Sequence, residues 1–563
     1  MNKNKRRDIT AFVLAIAIVI LLNVLGSFAF KRFDLTAEKR YTLSDATKKI
    51  LGELDDVVYV KVYLEGDDLP VGFKNLKNAT KEILDEFRAY SNDNIEYEFI
   101  NPSKNTDKKQ QNEVYKQLYD KGLQPTNVEI KEENGTSQLI IFPAALVSHK
   151  GQQVPWQLLK TQIGLSSEAQ LNNSIQSLEY EFASSIRNLT IRMRPVIGFL
   201  EGHGELDTLE TADIRASFGD FYLLKRVKIN QQLKALDGLQ ALVISKPDTT
   251  FTEQDKFIID QFIMKGGKVL WCIDPLYTSL DSLRKSPETN AVPYSLNLED
   301  QLFKYGVRIN NDMVLDLQSS AMPVNQALAG QQPRFELKPW IFSPLVAPAN
   351  DHPISKNLDL TKIEFGASID TVSATGIKKS ILLRSSKYSK TLSSPVRVSL
   401  MYLRRTPDEK QFTDPYRSIS VLLEGKFESA FKNRIPPEIE NDSLIGFKSI
   451  AEKETKMIII ADGDIIRNDI QYSTGQPLPL GFDKYTNQTY GNKNFILNCM
   501  NYLCDDSGLI TVRNRELTLR LLNKKKIRTE RGRWKLINTL SPLFLIIIYG
   551  LIHFFIRRRK YAK

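Results

Sequence analysis

At 563 residues, 42% of them hydrophobic and 25% charged, the chain is too long for one hydrophobic core and long enough for two or three domains. Its formal net charge of +11 is concentrated at the ends: residues 1–8 carry +3, 513–535 carry +8 and 557–563 carry +5, which leaves −5 for residues 31–512. A mildly acidic globular part argues against a nucleic-acid partner and puts the basic groups where they can meet lipid headgroups.

After a short basic tail over 1–8, residues 9–30 form a run of 22 without a charge. As a helix this run measures about 33 Å, enough to cross a hydrocarbon core of about 30 Å. It is longer than the apolar segment of a cleaved signal peptide, so an uncleaved anchor is expected. A first α/β domain is expected over 44–190. Ser44 and Asp45 open a helix, and Val57 to Leu64 is a β-rich run. Phe73, Leu76, Thr80, Ile83, Phe87 and Tyr90 recur at helical spacing, while Ile95, Tyr97 and Phe99 alternate as in a half-buried strand. Leu139 to Val147 is expected to continue the sheet, and Leu171, Ile175, Leu178, Phe182 and Ile186 mark a long closing helix.

A second α/β domain is expected over 195–512. Val196 to Leu200 and Ala241 to Ser245 are short buried strands. Thr252 with Asp255 has the form of a capping box, and Gly266 and Gly267 stop that helix before the strand Lys268 to Cys272. Met457 to Ala461 is the expected later sheet partner. Residues from about 280 to 450 are expected to form an insertion, with proline-rich connections at Pro333, Pro339, Pro344 and Pro348 and β-rich segments at Ile381 to Leu383 and Ser418 to Leu423. A basic juxtamembrane segment over 513–535 leads to a second uncharged span, 536–556, and a basic tail over 557–563. Both termini are expected in the cytoplasm with the bulk outside, since a short basic tail is retained and a long domain translocates largely regardless of its charge.

No Gly-x-x-x-x-Gly-Lys-Ser/Thr loop occurs, which excludes the usual phosphate-cradling ATPase. Two spans are too few for a complete pore. The site-like cluster is Glu201-Gly202-His203-Gly204-Glu205, directly after a strand, where open α/β sheets bind ligands. Glu201, His203 and Glu205 are candidate ligand-binding residues; a structural turn or interface is the competing reading, and with four histidines in the chain no metal is expected. Asp462 and Asp464 form a second acidic pair at a strand end, where cation binding competes with turn chemistry. Cys272 sits beside Trp271 and Ile273 with nothing local to activate it, and no disulfide framework is expected among the three cysteines. Lys524, Lys525, Lys526, Arg528, Arg531 and Arg533 crowd against the second span and are candidates for lipid or partner contact.

The run Arg32-Phe33-Asp34-Leu35-Thr36, followed by Lys39, Tyr41, Leu43 and Ser44 just past a membrane anchor, resembles the start of the GldG family, gliding-motility-associated auxiliary components of an ABC transporter in Bacteroidetes. Glu201 to Glu205, Gly266-Gly267-Lys268, His352-Pro353-Ile354, Leu423-Glu424-Gly425-Lys426-Phe427 and Gly491-Asn492-Lys493-Asn494-Phe495 extend the resemblance along the chain. It implies a non-enzymatic inner-membrane protein without a cofactor, whose periplasmic part works with a separate permease and a separate ATPase. It also implies a central domain similar to amidotransferase-like folds without their catalytic elbow. The expected fold class is therefore α/β: two anchoring helices flanking an N-terminal α/β domain and a second, flavodoxin-like or amidotransferase-like α/β domain with a β-rich insertion.

Overall fold

The computed structural model describes residues 10–21, 42–66, 68–104, 107–132, 135–161, 165–191, 193–327, 332–349, 352–404, 407–442, 445–471, 473–505, 508–514 and 524–561. Two compact units divide the chain, Met1–Arg515 and Glu516–Lys563.

In the first domain, helix α1 (Asp45–Gly52) starts where Ser44 Oγ accepts a hydrogen bond from Thr47 N at 3.1 Å. Then come β1 (Val58–Val62), α2 (Val71–Tyr90), β2 (Ile95–Phe99), α3 (Lys108–Asp120), β3 (Thr126–Glu132), β4 (Gly135–Ile141), β5 (Ala144–His149), β6 (Gln152–Gln157) and α4 (Ser167–Thr190). The main sheet has the order β2-β1-β5-β6, with β1 parallel to β2 and antiparallel to β5. This is the strand order of a thioredoxin-like layer, but Cys272, Cys499 and Cys504 all lie in the second domain, so no dithiol centre belongs to it. Phe87 and Trp156 pack on Phe182 with ring centroids 4.7 and 4.8 Å apart, tying α2, α4 and β6 into one core. The expected single strand over Leu139 to Val147 is instead two. It breaks at Pro143, which has no N–H for the ladder, so β3 and β4 form a separate ribbon while β5 joins the main sheet.

The second domain opens with β7 (Val196–Glu201), α5 (Ala212–Gly219), β8 (Leu223–Lys228), β9 (Ala241–Ser245), α6 (Glu253–Met264), β10 (Lys268–Cys272) and α7 (Glu299–Tyr305). It continues through β11 (Ser319–Asn325), β12 (Phe335–Pro348), β13 (Ile377–Arg384), β14 (Ser418–Gly425), β15 (Thr455–Ile460) and α8 (Asn492–Cys504). A ten-stranded sheet runs β11-β12-β13-β14-β15-β10-β9-β7-β8 with a two-residue strand beside β12. Its parallel part, β8-β7-β9-β10-β15, follows the doubly wound order 2-1-3-4-5. Every residue of β9 and β10 is buried, because helices cover both faces. Leu270, Ile458 and Phe495 meet on one face, and Trp271, Ile459 and Ile263 on the other.

Thr252 Oγ1 caps α6 by accepting from Asp255 N at 3.1 Å. The reciprocal half of the expected capping box is absent, since the Asp255 carboxylate turns to His203 and to Gln231 N. The insertion also differs from expectation. Its strands β13 and β14 extend the same sheet, antiparallel. Pro339, Pro344 and Pro348 lie inside β12, not in connections. The ladder shifts register between Ser319 and Ala321, opposite the stretch from Pro339 to Pro344, which lets a strand carry residues without an N–H.

Asp260, fully buried on α6, accepts from Tyr305 Oη at 2.8 Å, Ser429 Oγ at 2.7 Å, Ala430 N at 2.8 Å and Gln261 Nε2 at 2.9 Å. One carboxylate thus joins α6, α7 and the turn after β14.

The second unit contains helix α9 (Lys524–Tyr561), whose segment Thr529–Arg559 holds an 18-residue window of mean hydropathy 2.1 and is long enough to cross a membrane. From Lys524 onward the expected juxtamembrane segment is helical and continuous with the apolar stretch. Arg531 and Arg533 are exposed on it, while the side chains of Lys524, Lys525, Lys526 and Arg528 lie outside the described residues. Of the expected first span, Thr10–Leu21 is an apolar helix shorter than a bilayer requires, and positions 9 and 22–30 lie outside the described residues.

Asp260→Ala, leaving four donors unanswered in the core, is expected to lower the unfolding free energy by about 3 kcal/mol in urea titrations followed by circular dichroism. Asp260→Asn should also destabilise, because its amide turns a donor toward donors. Glu82→Ala on the exposed face of α2 should change the value by less than about 0.5 kcal/mol.

Candidate functional site

The loop after β7 carries the strongest sequence signal. Gly202 and Gly204 adopt φ of 122° and 76°, and a Cβ on Gly204 would stand 1.5 Å from Asp248 Oδ1, so the chain turns there only with glycine. The His203 carbonyl accepts from Asp248 N at 2.9 Å and Thr249 N at 3.0 Å, which binds this loop to the one after β9. The imidazole stacks on Phe251 with centroids 3.9 Å apart, its Nε2 3.2 Å from Asp255 Oδ2 and its Nδ1 3.4 Å from Glu205 Oε1. His203 is 6% exposed and the Glu205 side chain 1%. Burial opposes protonation of His203, but Glu205 and Asp255 outweigh it and hold the imidazole above its ordinary pKa. Glu201 points elsewhere and pairs with Arg226. The three expected ligand residues therefore do not converge on open space: two close a buried acid–histidine–acid bridge, and the third makes a partly exposed ion pair.

The open space is one strand-end further along, where a cleft of about 480 Å³ lies between the carboxyl ends of the parallel strands and the insertion. Lys246, just after β9, adopts φ of 51° and sets its ammonium 3.0 Å from Asp274 Oδ2 and in contact with Asp464. Arg467 pairs with Asp464 at 3.4 Å and Glu210 at 3.0 Å. Lys362 lies 3.3 Å from Glu364 and 3.2 Å from Asp483. Asn492, opening α8, fixes Lys362 through both its N, at 3.0 Å, and its O, at 2.7 Å. Desolvation opposes the charge on Lys246, yet Asp274 and Asp464 outweigh it and push its pKa up; likewise Lys246 and Arg467 pull Asp464 down against its burial.

The sequence candidates Asp462 and Asp464 thus divide. Asp464 sits in the ionic floor, whereas Asp462 is fully buried beneath it, accepting from Asp464 N at 3.1 Å. Burial first, then the charges of Asp274 and Asp464, pushes the Asp462 carboxyl well above the usual range. Cys272, one residue short of the same strand-end region, is fully buried, and burial raises its thiol well above the ordinary value. Among the described residues no group of three or more His, Cys, Asp and Glu is placed to hold a metal ion. Lys246 and Lys362 escaped the sequence reading. A lysine immediately after a buried apolar strand was the available signal for Lys246, and Lys362 offered none.

Unfolded histidine titrates near a pH of about 6.5. With the folded value raised, the stabilisation from His203 is complete below that pH and is lost as pH rises through the folded value. The melting temperature is expected to fall across this window in scanning fluorimetry, and His203→Gln should flatten that dependence. His203→Ala, which leaves two buried carboxylates without their partner, should cost about 3 kcal/mol at pH 6.

Residues 37–148 match a domain of unknown function. An uncharacterized protein of Borreliella burgdorferi is 21% identical over 577 aligned residues, covering 99% of each chain. Among solved structures, the mmIFT52 N-terminal domain aligns at 13% identity and a TM-score of 0.31 over 55% of this chain and 96% of that one. Residues 194–499, more than half of the 563, match the family described as an ABC-type uncharacterized transport system, and the chain belongs to that family.

Proposed function

We propose that the protein is a membrane-anchored, non-catalytic auxiliary subunit of an ABC-type transport complex, working with a separate permease and a separate ATPase. The family match over residues 194–499 carries this reading. The apolar helix α9 supports anchoring, and Trp534, 55% exposed just before the uncharged stretch, suits a headgroup-level belt. The burial of Cys272 and the closed bridge around His203 support a role without covalent chemistry.

The finer reading has the anchors over 9–30 and 536–556 in the inner membrane, both termini cytoplasmic and the bulk periplasmic. It also places the complex in surface gliding, on the strength of the GldG-like motifs. Reporter fusions at Lys3, Asn310 and Lys563 test the topology, and a cytoplasmic signal from Asn310 overturns it. The tagged chain should co-purify from membranes with a permease and a nucleotide-binding subunit. Capture without either, at normal abundance, overturns the transport reading. Replacing Lys524, Lys525 and Lys526 by Gln is expected to weaken that co-purification several-fold while leaving membrane insertion unchanged, since the uncharged span is untouched.

A further inference from the structure

We propose that the groove at the amino ends of the parallel strands docks an acidic, apolar-bearing segment of a partner protein. The groove has a volume of about 510 Å³ and opens where β7, β9 and β10 begin, at the end of the sheet opposite to the cleft. Four of its lining residues are cations, Arg194, Lys265, Lys268 and Lys453, against one acid, Asp237. Arg194 donates to the Gly219 carbonyl at 3.1 Å, and among the described residues neither it nor Lys265 nor Lys453 stands in an ion pair. Two further acids lie within electrostatic reach, Asp220 of Arg194 and Glu452 of the two lysines, but Glu452 is already paired with Lys448 at 2.9 Å. The carboxyl end of α6 adds about half a negative charge, which offsets one lysine in part. A positive excess remains.

The chain is shaped to hold these cations there. Gly266, with φ of 94°, leaves room for the Lys453 stem, since a Cβ on it would stand 2.2 Å from Lys453 Cε. Glu452 N donates to the Met264 carbonyl at 2.9 Å and Thr455 Oγ1 to the Gly267 carbonyl at 2.8 Å, which lays the segment before β15 against the end of α6. Beside the charges the lining is apolar. Leu236, Ile258 and Phe262 are buried beneath it, while Leu233 and Met193 are 47% and 87% exposed. A phosphate, free or in a headgroup, is best met by converging N–H donors, and α6 turns its carbonyl end to the groove. An acidic peptide meets the same lining with carboxylates for the cations and apolar side chains for Leu233 and Met193. Two copies of this chain cannot share the face symmetrically, because like charges would oppose one another.

The test uses the full-length protein in a neutral detergent and labelled peptides of about twelve residues, rich in Glu and Asp and carrying one Leu or Phe. Fluorescence anisotropy should show binding that weakens as NaCl rises from about 50 to 300 mM. Lys265→Gln with Lys453→Gln, both exposed, should weaken it at least fivefold at an unchanged melting temperature. Lys74→Gln with Lys81→Gln, the same charge change on the exposed face of α2, should leave it within twofold. Leu233→Ser should also weaken binding, and that loss should vanish with a peptide whose Leu or Phe is replaced by Ser. No peptide binding, salt-independent binding, equal affinity in the Lys265 and Lys453 variant, or an equal loss in the α2 variant overturns the proposal. So does a Leu233→Ser loss that the Ser peptide shares. Preference for inorganic phosphate or phosphatidylglycerol vesicles over the peptides, or self-association that the Lys265 and Lys453 changes abolish, overturns it as well. None of these outcomes depends on whether the permease and ATPase co-purify.

Discussion

The position of β15 governs the second domain. This strand arrives after the chain has left the sheet at Cys272 and travelled through the insertion, and it lies between β10, to which it is parallel, and β14, to which it is antiparallel. A central strand with buried residues on both faces must find partners for its backbone groups on both edges. Met457 to Ile460 does so against Val269 to Cys272 on one side and Ser420 to Leu423 on the other. The insertion is consequently locked into the sheet, and the turn after β15 is carried to the strand ends of β9 and β10. Glycine at 463 permits that approach, since a Cβ there would stand 2.7 Å from Lys246 Cβ.

From that placement the electrostatics follow. Asp462 and Asp464 flank Gly463, and the backbone forces them apart: one under the sheet end, one toward the cleft. With three carboxylates near one lysine in a poorly solvated place, ionisation is hardest for the one that Lys246 does not touch, and the Asp462 carboxyl is raised well above its ordinary range. The buried bridge at His203 obeys the same rule from the opposite direction, with one imidazole serving two carboxylates. Neither arrangement is strong evidence of added stability compared with an apolar core, but each fixes a loop whose geometry the sheet alone does not determine.

The parallel units were legible because their signals are local. Capping threonine, helical stripe, glycine stop and apolar strand lie within twenty-one residues from Thr252 to Cys272, and α6 and β10 fall where those signals point. The break at Pro143 was legible in principle, since a proline inside an apolar run argues against a central strand. The prolines of β12 misled for the complementary reason: their strand lies toward the outer part of the sheet, where a missing donor costs little. The site was only half legible. Asp464 and His203 show themselves as polar groups at strand ends, but the partners that decide their roles are distant in sequence, Lys246 for one and Asp255 for the other. Whether a conspicuous polar loop lines a cleft or is packed shut depends on what folds over it. In this chain Phe251 and α6 cover the first strand end and leave the last ones open.

Helix α9 runs for 38 residues, which at 1.5 Å each makes a rod of about 57 Å. A bilayer core is roughly 30 Å thick, so the rod is nearly twice as long as one crossing needs. Pro542 interrupts the rod six residues into its uncharged stretch by leaving the Asn538 carbonyl without its usual donor. Stiffness is thus lowest at that turn. Bending is therefore concentrated at that turn, and the basic start of the helix can change its angle to the apolar stretch without either losing its own hydrogen bonds.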